Sequence, residues 1–230
     1  MGTGKYIIAT IKSWNIKQAE KLIEDKKDWQ INLITEKEQL NYNNIKNFGP
    51  DYIFIPHWSW IIPDEIVNNF NCVIFHITDL PFGRGGSPLQ NLIARGIKET
   101  KISAIKAVKE VDAGHVYLKK NLSLDGTAQQ IFERASNIIF KEMIPYIVKN
   151  KPHPSPQKGK VVKFKRRTPE QSDISSLEST EKVYDYIRML DGEGYPPAYI
   201  ETKNLRIEFS NAEYSKGTVC AYAKITRKKT

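Results

Sequence analysis

Apolar and polar positions fall into two alternating rhythms along the first 100 residues. Residues 6–11 (YIIATI) form an apolar run of the kind a buried strand needs, and 15–27 (NIKQAEKLIEDKK) follow with Ala19, Leu22 and Ile23 on one helical side. WQINLI at 29–34 predicts a second strand and DYIFIP at 51–56 a third, continuous rather than alternating, as expected where both faces are covered. Short helices are expected over 36–45 and 63–69, the latter with Asp64 and Glu65 in a first turn where carboxylates suit the helix dipole. NCVIFH at 71–76 is the next buried strand. A helix is predicted over 87–95, with Pro88 near its start and Gly96 just past its end. This order gives the α/β class: a mostly parallel twisted sheet with helices on both faces.

The rhythm then changes. ISAIKAVKE at 102–110 alternates and predicts a half-exposed strand; VYLKK at 116–120 predicts another, with Asp112-Ala113-Gly114 turning between them. Asp125-Gly126-Thr127 opens a long helix to about Asn150, which Pro145 is expected to bend or end early. Three prolines, at 152, 154 and 156, exclude a packed helix or central strand over 151–157, which is therefore a linker or a pinned connector. The sequence thus divides into a domain over 1–150, the connector over 151–157 and a small α+β extension over 158–230, with a strand at 160–165, a helix at 179–190 and strands at 198–202, 204–209 and 217–226. An extension of about 70 residues is too small to be expected to stand alone.

Composition narrows the class. The chain has 230 residues, 40% hydrophobic and 27% charged, which excludes collagen-like, mucin-like and disordered sequences. Two cysteines, Cys72 and Cys220, match no metal spacing and are too few for a disulfide framework, so a reducing, cytoplasmic setting is expected. No apolar run reaches the roughly 18 residues a membrane span needs, so no membrane insertion is expected. The net charge of +9 is compatible with simple solubility or with attraction to an anion.

The candidate chemistry sits in HITDLPFGRGGSPLQ at 76–90. A buried strand ends at His76 and a glycine-rich loop follows, where open α/β sheets bind ligands. Gly83, Gly85 and Gly86 permit a tight turn but do not form a phosphate-binding G-x-G-x-x-G. Taken alone, His76 reads first as a structural imidazole and Asp112 as a turn former.

FHITDLPFGRGGSPLQNLIARG resembles the signature of the folate-dependent formyltransferases, in which an Asn-x-His-x-Ser-x-Leu-Pro run leads to Arg-Gly and Pro, followed by a Thr-rich strand and an Asp-x-Gly turn. His76 stands at the family histidine, Thr78 at the serine, and Leu80, Pro81, Arg84, Gly85 and Pro88 match; Thr100 and Ser103 fall in the next strand's motif, and Asp112 and Gly114 match the turn. The resemblance implies a formyltransferase-like, Rossmann-type fold and transfer of a formyl group from N10-formyltetrahydrofolate to a primary amine. It implies His76 and Asp112 as the catalytic pair, and a folate pocket shaped by Leu80, Pro81, Gly85 and the main chain around Val108 and Val111. Arg84 either pairs with a phosphate or braces the loop. Ile74 departs from the pattern, because it occupies the family asparagine's place and cannot hydrogen-bond through its side chain. Asn71 is too far back to substitute for it.

The C-terminal segments VVKFKRRTPEQSDI and KVYDYIRMLDGEGYPPAYI are similar to the short extension of sugar-nucleotide N-formyltransferases, particularly those of pseudaminic acid biosynthesis. That resemblance implies a nucleotide-sugar substrate, with a UDP-linked 4-amino-4,6-dideoxy sugar favoured. Trp58, Trp60 and Thr78 are then expected near the sugar, Tyr195 or Tyr199 on the base, and Arg166 on the diphosphate. It also implies a homodimer and makes nucleic acid an unexpected partner. Two alternatives stand beside it: a methionyl-tRNA formyltransferase, favoured by the basic balance, and a catalytically inactive binding protein, favoured by Ile74.

Overall fold

The structure, a computed structural model, describes residues 4–228. A six-stranded sheet forms its main layer. Its strands are β1 (Lys5–Ala9), β2 (Gln30–Ile34), β3 (Tyr52–Pro56), β4 (Cys72–His76), β6 (Glu99–Lys106) and β7 (Val116–Ser123), in the order β2-β1-β3-β4-β6-β7. β1 pairs in parallel with β2 and β3, and β3 with β4, whereas β6 runs antiparallel to β4. Strand order reverses beside β1, and open α/β sheets bind ligands outside the carboxyl ends of their strands at such a switch point. The continuous apolar strands are covered on both faces: Ile7, Ile53, Phe54 and Val73 are wholly buried.

Helices α1 (Ser13–Asp25), α2 (Tyr42–Phe48) and α3 (Asp64–Asn69) connect these strands. The helix expected over 36–45 divides into a short 3-10 turn, Lys37–Gln39, and α2. The break has a local cause: the Asn41 side chain accepts a hydrogen bond from Asn44 N at 3.0 Å and starts a new helix. β6 ends at Lys106 rather than running to residue 110. The Lys106 amide donates to His115 O (2.9 Å), which closes a loop over residues 107–115.

The long helix after Gly126 forms as α5 (Ala128–Ile138), a π-helical segment (Ile139–Met143) and α6 (Ile144–Asn150). Pro145 neither ends nor breaks this run. It lies in the first turn of α6, directly after the π-helical segment, whose wider turn accommodates the N–H that proline lacks.

By contacts the chain forms two compact units that are not sequential blocks. The first takes the chain up to Arg84 with Lys101–Leu122 and Glu133–Lys163; the second takes Gly85–Thr100, Ser123–Phe132 and the chain from Phe164 onward. The second unit contains α4 (Pro88–Ile93), α7 (Thr180–Arg188) and an antiparallel sheet of β9 (Ala198–Glu201), β10 (Leu205–Ser215) and β11 (Thr218–Arg227), ordered β11-β10-β9. Buried Arg188 organises it. Its guanidinium donates to Leu124 O (2.6 Å), Gly126 O (2.9 Å) and Asp185 Oδ1 (2.7 Å), so its charge has a carboxylate partner and Nε and Nη1 have acceptors. A short strand β5 (Phe82–Gly85), absent from the hydrophobic pattern, pairs with β8 (Val162–Phe164).

Candidate active site

His76 is the last residue of β4, pairing with Ser103 of β6, and lies at the carboxyl edge of the parallel strands. The chain then turns through Thr78–Pro81. Ser103 Oγ donates to Thr78 O (2.7 Å) and accepts from Leu80 N (3.4 Å). Lys119 holds the Asp79 carboxylate and the Leu80 carbonyl, and Lys101 lies 3.0 Å from the other Asp79 oxygen. Burial acts to raise the Asp79 carboxyl, but hydrogen bonds from Lys119 and Lys101, with their charges, outweigh it and hold it below the usual carboxylate range. Leu80 is wholly buried.

The turn that carries Asp112 faces the histidine. His76 Nδ1 is 3.5 Å from Asp112 Oδ1, with side-chain exposures of only 8% and 10%, so little water screens the pair. The other ring nitrogen, Nε2, is 2.8 Å from Gly83 O. A carbonyl only accepts, so Nε2 bears the hydrogen, and Nδ1 is the nitrogen turned toward the carboxylate.

Asp112 occupies the left-handed region at φ 54°, uncommon for a residue with a side chain. Its loop is tightly anchored. A Cβ on Gly114 would lie 1.7 Å from Lys106 O, so only glycine allows the turn to pass that close to β6. Arg84, left open by the sequence, is a brace in this structure: Nε and Nη2 donate to Gln157 Oε1 at 3.1 and 2.8 Å, and Nη1 lies 3.6 Å from Glu110. Gln157 Nε2 donates in turn to Asp112 O (2.7 Å) and Gly114 O (2.8 Å). The connector is thus pinned rather than loose. Gln157, Glu110 and Lys119 carried no sequence signal, since an isolated amide after a proline and scattered surface charges match no motif.

The remaining candidates are more dispersed. Thr78 is wholly buried, and its Oγ1 makes no hydrogen bond with any described residue. Val108 and Val111 lie in the 107–115 loop at 41% and 65% exposure. Trp58 packs against the core cluster that includes Ile55 and Ile66, and Trp60 meets its edge at 5.0 Å. Ile74, between Ile55 of β3 and Ile105 of β6, packs on the same cluster, so the family asparagine's place is taken by a half-buried apolar side chain. Asn71 is committed at the opposite end of β4, donating to Asp51 O at 3.1 Å.

In the second unit Tyr195 stacks on Phe132 at 5.5 Å, and burial pushes its hydroxyl up. Tyr199 lies under the Arg206 guanidinium at 3.6 Å. The backbone of Arg166 packs close to Gly86, while Gly85 approaches Phe164 O.

A Rossmann-type sheet thus carries a buried imidazole–carboxylate pair at its carboxyl edge, an arrangement of the kind that moves protons in acid–base chemistry. The family model for formyl transferase matches residues 10–138, and that for the methionyl-tRNA formyltransferase C-terminal domain matches residues 169–226. The first alone spans more than half of the sequence, and the chain belongs to the formyl transferase family. A methionyl-tRNA formyltransferase from Bacillus cytotoxicus is 29% identical over 171 residues, covering 71% of this chain and 54% of the relative. The chain spans about half the length of the curated relatives it matches. The solved structure of a methionyl-tRNA formyltransferase from Clostridium thermocellum is 53% identical, with a TM-score of 0.96 over 98% of this chain and 100% of that one. A sugar N-formyltransferase from Shewanella shares the fold at 14% identity, with a TM-score of 0.68 over 95% and 96% of the two chains.

These comparisons correct the substrate reading. The sugar-nucleotide assignment, its pseudaminic acid refinement and the UDP-linked partner are overturned by the far greater similarity to methionyl-tRNA formyltransferases. The expected exclusion of nucleic acid falls with them. The sugar and base roles given to Trp58, Trp60, Thr78, Arg166, Tyr195 and Tyr199 lose their basis. The C-terminal segment, on which the sugar-nucleotide resemblance rests, instead matches the family model for the methionyl-tRNA formyltransferase C-terminal domain. Family membership is in keeping with the expected N10-formyltetrahydrofolate.

Proposed function

We propose that this chain moves a formyl group from N10-formyltetrahydrofolate to the free amine of a methionyl-tRNA. The observation that carries the reading is the 53% identity, over nearly the whole of both chains, to a methionyl-tRNA formyltransferase. The His76–Asp112 pair supports the chemistry, and the net charge of +9 suits a polyanionic acceptor.

Attack requires a neutral amine, a stabilised formyl oxygen and two proton movements. Asp112 takes the proton from the attacking nitrogen as the new C–N bond forms. His76, protonated at Nδ1, offers a hydrogen bond to the formyl oxygen as negative charge develops there. As the bond to N10 breaks, His76 supplies the proton N10 needs and recovers one from Asp112. One proton thus leaves the amine and one reaches the folate nitrogen, with none consumed. The fixed Nε2–H to Gly83 O keeps Nδ1 as the working nitrogen. Ile74 offers no polar group, so in this chain stabilisation of the formyl oxygen falls to His76.

The test is formylation of methionyl-tRNA by the full chain with N10-formyltetrahydrofolate, alongside UDP-linked amino sugars. Formyl-methionyl-tRNA is expected, with loss of about 100-fold or more in His76→Asn and Asp112→Asn, and tRNA binding that weakens steeply with salt. No transfer to methionyl-tRNA, or equal transfer by Asp112→Asn, overturns the reading.

A further inference from the structure

We infer that Gln157, delivered by the Pro-rich connector, is a positioning residue that sets Asp112 against His76. This rests on the formyl-transfer reading above for its kinetic consequence, though not for its geometry.

Hydrogen bonds, one short chain link and the 3.5 Å contact between His76 and Asp112 close a ring around the pair. His76 Nε2 donates to Gly83 O; Arg84, the next residue, donates twice to Gln157 Oε1; Gln157 Nε2 donates to Asp112 O; and the Asp112 carboxylate returns to His76 Nδ1. Gln157 is the member that joins the His76 loop to the Asp112 turn. It is fully used: its NH2 reaches two carbonyls at 2.7 and 2.8 Å, and its oxygen accepts two guanidinium N–H groups at 3.1 and 2.8 Å. Turning the amide over would set oxygen against two carbonyl oxygens and NH2 against guanidinium N–H, so the surroundings fix its orientation.

Two further observations mark this as positioning rather than general packing. The carbonyl that Gln157 grips belongs to Asp112 itself, the residue held in the left-handed region. A strained backbone persists only where its surroundings over-determine it. The delivery is also rigid. Ser155, two residues earlier, pairs with Val116 through bonds of 2.8 and 2.9 Å, and prolines flank it on both sides. The connector is therefore anchored at the exit of the Asp112 loop, with Gln157 aimed back into it.

The experiment compares wild type, Gln157→Ala, Gln157→Glu and Asp112→Asn as full chains. Three readings are taken: the melting temperature, the His76 ring-proton NMR resonance at fixed pH, and kcat and KM for formyl transfer. Gln157→Glu keeps size and the Arg84 partner while removing both donors, so it tests the idea should the alanine variant fold poorly. The expected result is a His76 resonance displaced in the same direction as in Asp112→Asn. With it comes a fall in kcat of about 10- to 100-fold and a folate KM within about twofold. A resonance that Asp112→Asn moves and both Gln157 variants leave in place overturns the inference. The resonance needs no turnover, so wild type that transfers no formyl group would remove the functional reading alone and leave the positioning role to be judged by NMR.

Discussion

Replacing Gly114 by alanine should disable the site without touching either reacting side chain. The new Cβ would sit 1.7 Å from the Lys106 carbonyl oxygen and 2.8 Å from its carbon, both backbone atoms of β6. β6 is paired along β4 and cannot yield, so the 107–115 loop must retreat by about 1 Å or more before the contact is tolerable. Asp112 lies two residues away on the same turn. Lengthening its 3.5 Å separation from His76 to about 4.5 Å weakens the pair by roughly 1 kcal/mol at an effective dielectric of about 20, or about fivefold in rate. Misalignment of the reacting atoms adds to this and can reach about 100-fold. Overpacking itself should cost about 1–3 kcal/mol of stability, with roughly 2–4 °C lost from the melting temperature for each kcal/mol. The assay pairs kcat for formyl transfer with a thermal melt. A Gly114→Ala protein with wild-type kcat and an unchanged melt would refute both the tight passage over β6 and the dependence of turnover on it.

Three other outcomes are expected. His57 is lowered to about 4, first by burial and then by the Lys12 charge, so the unfolded chain binds its proton more readily. Stability is complete above pH ~6.5 and declines as the pH falls toward 4, by up to about 3 kcal/mol; His57→Phe should flatten that limb of a denaturation series, and an identical slope would exclude His57 as its source. Burial pushes the Cys72 thiol up to about 12 while Cys220 is exposed, so a thiol reagent should label one of the two cysteines quickly under native conditions; rapid labelling of Cys72 would contradict its burial. Ile74→Asn places an amide against the core cluster and should cost about 1–3 kcal/mol by chemical denaturation; an unchanged midpoint would mean that the position opens to the cleft instead.

The sheet was legible because its parallel strands are buried on both faces and therefore apolar without interruption, as in YIIA, YIFIP and CVIFH. Where the hydrophobic signal was weak, local polar bonds decided the outcome: Asn41 restarted a helix and His115 ended β6 early. β5 was invisible because FGRG has no strand pattern. The His76–Asp112 pair was reachable only through joint spacing, since each residue alone has an ordinary explanation. Arg84 and Gln157 show the limit, because a brace between residues 73 apart leaves no local periodicity. Acceptor class was the least legible feature. A short C-terminal segment carries few residues that distinguish one acceptor from another, and only similarity over the whole chain separates the classes.

The doubly bonded contact between Ser155 and Val116 gives the three-proline segment a gauge-like property. An extended chain advances about 3 Å per residue and turns successive side chains to opposite sides. Deleting or inserting a single residue between that contact and Gln157 would carry the amide past its carbonyls and aim it away from them. A tether that elsewhere would tolerate drift in length is here length-locked, and indels within it should leave the protein folded but slow.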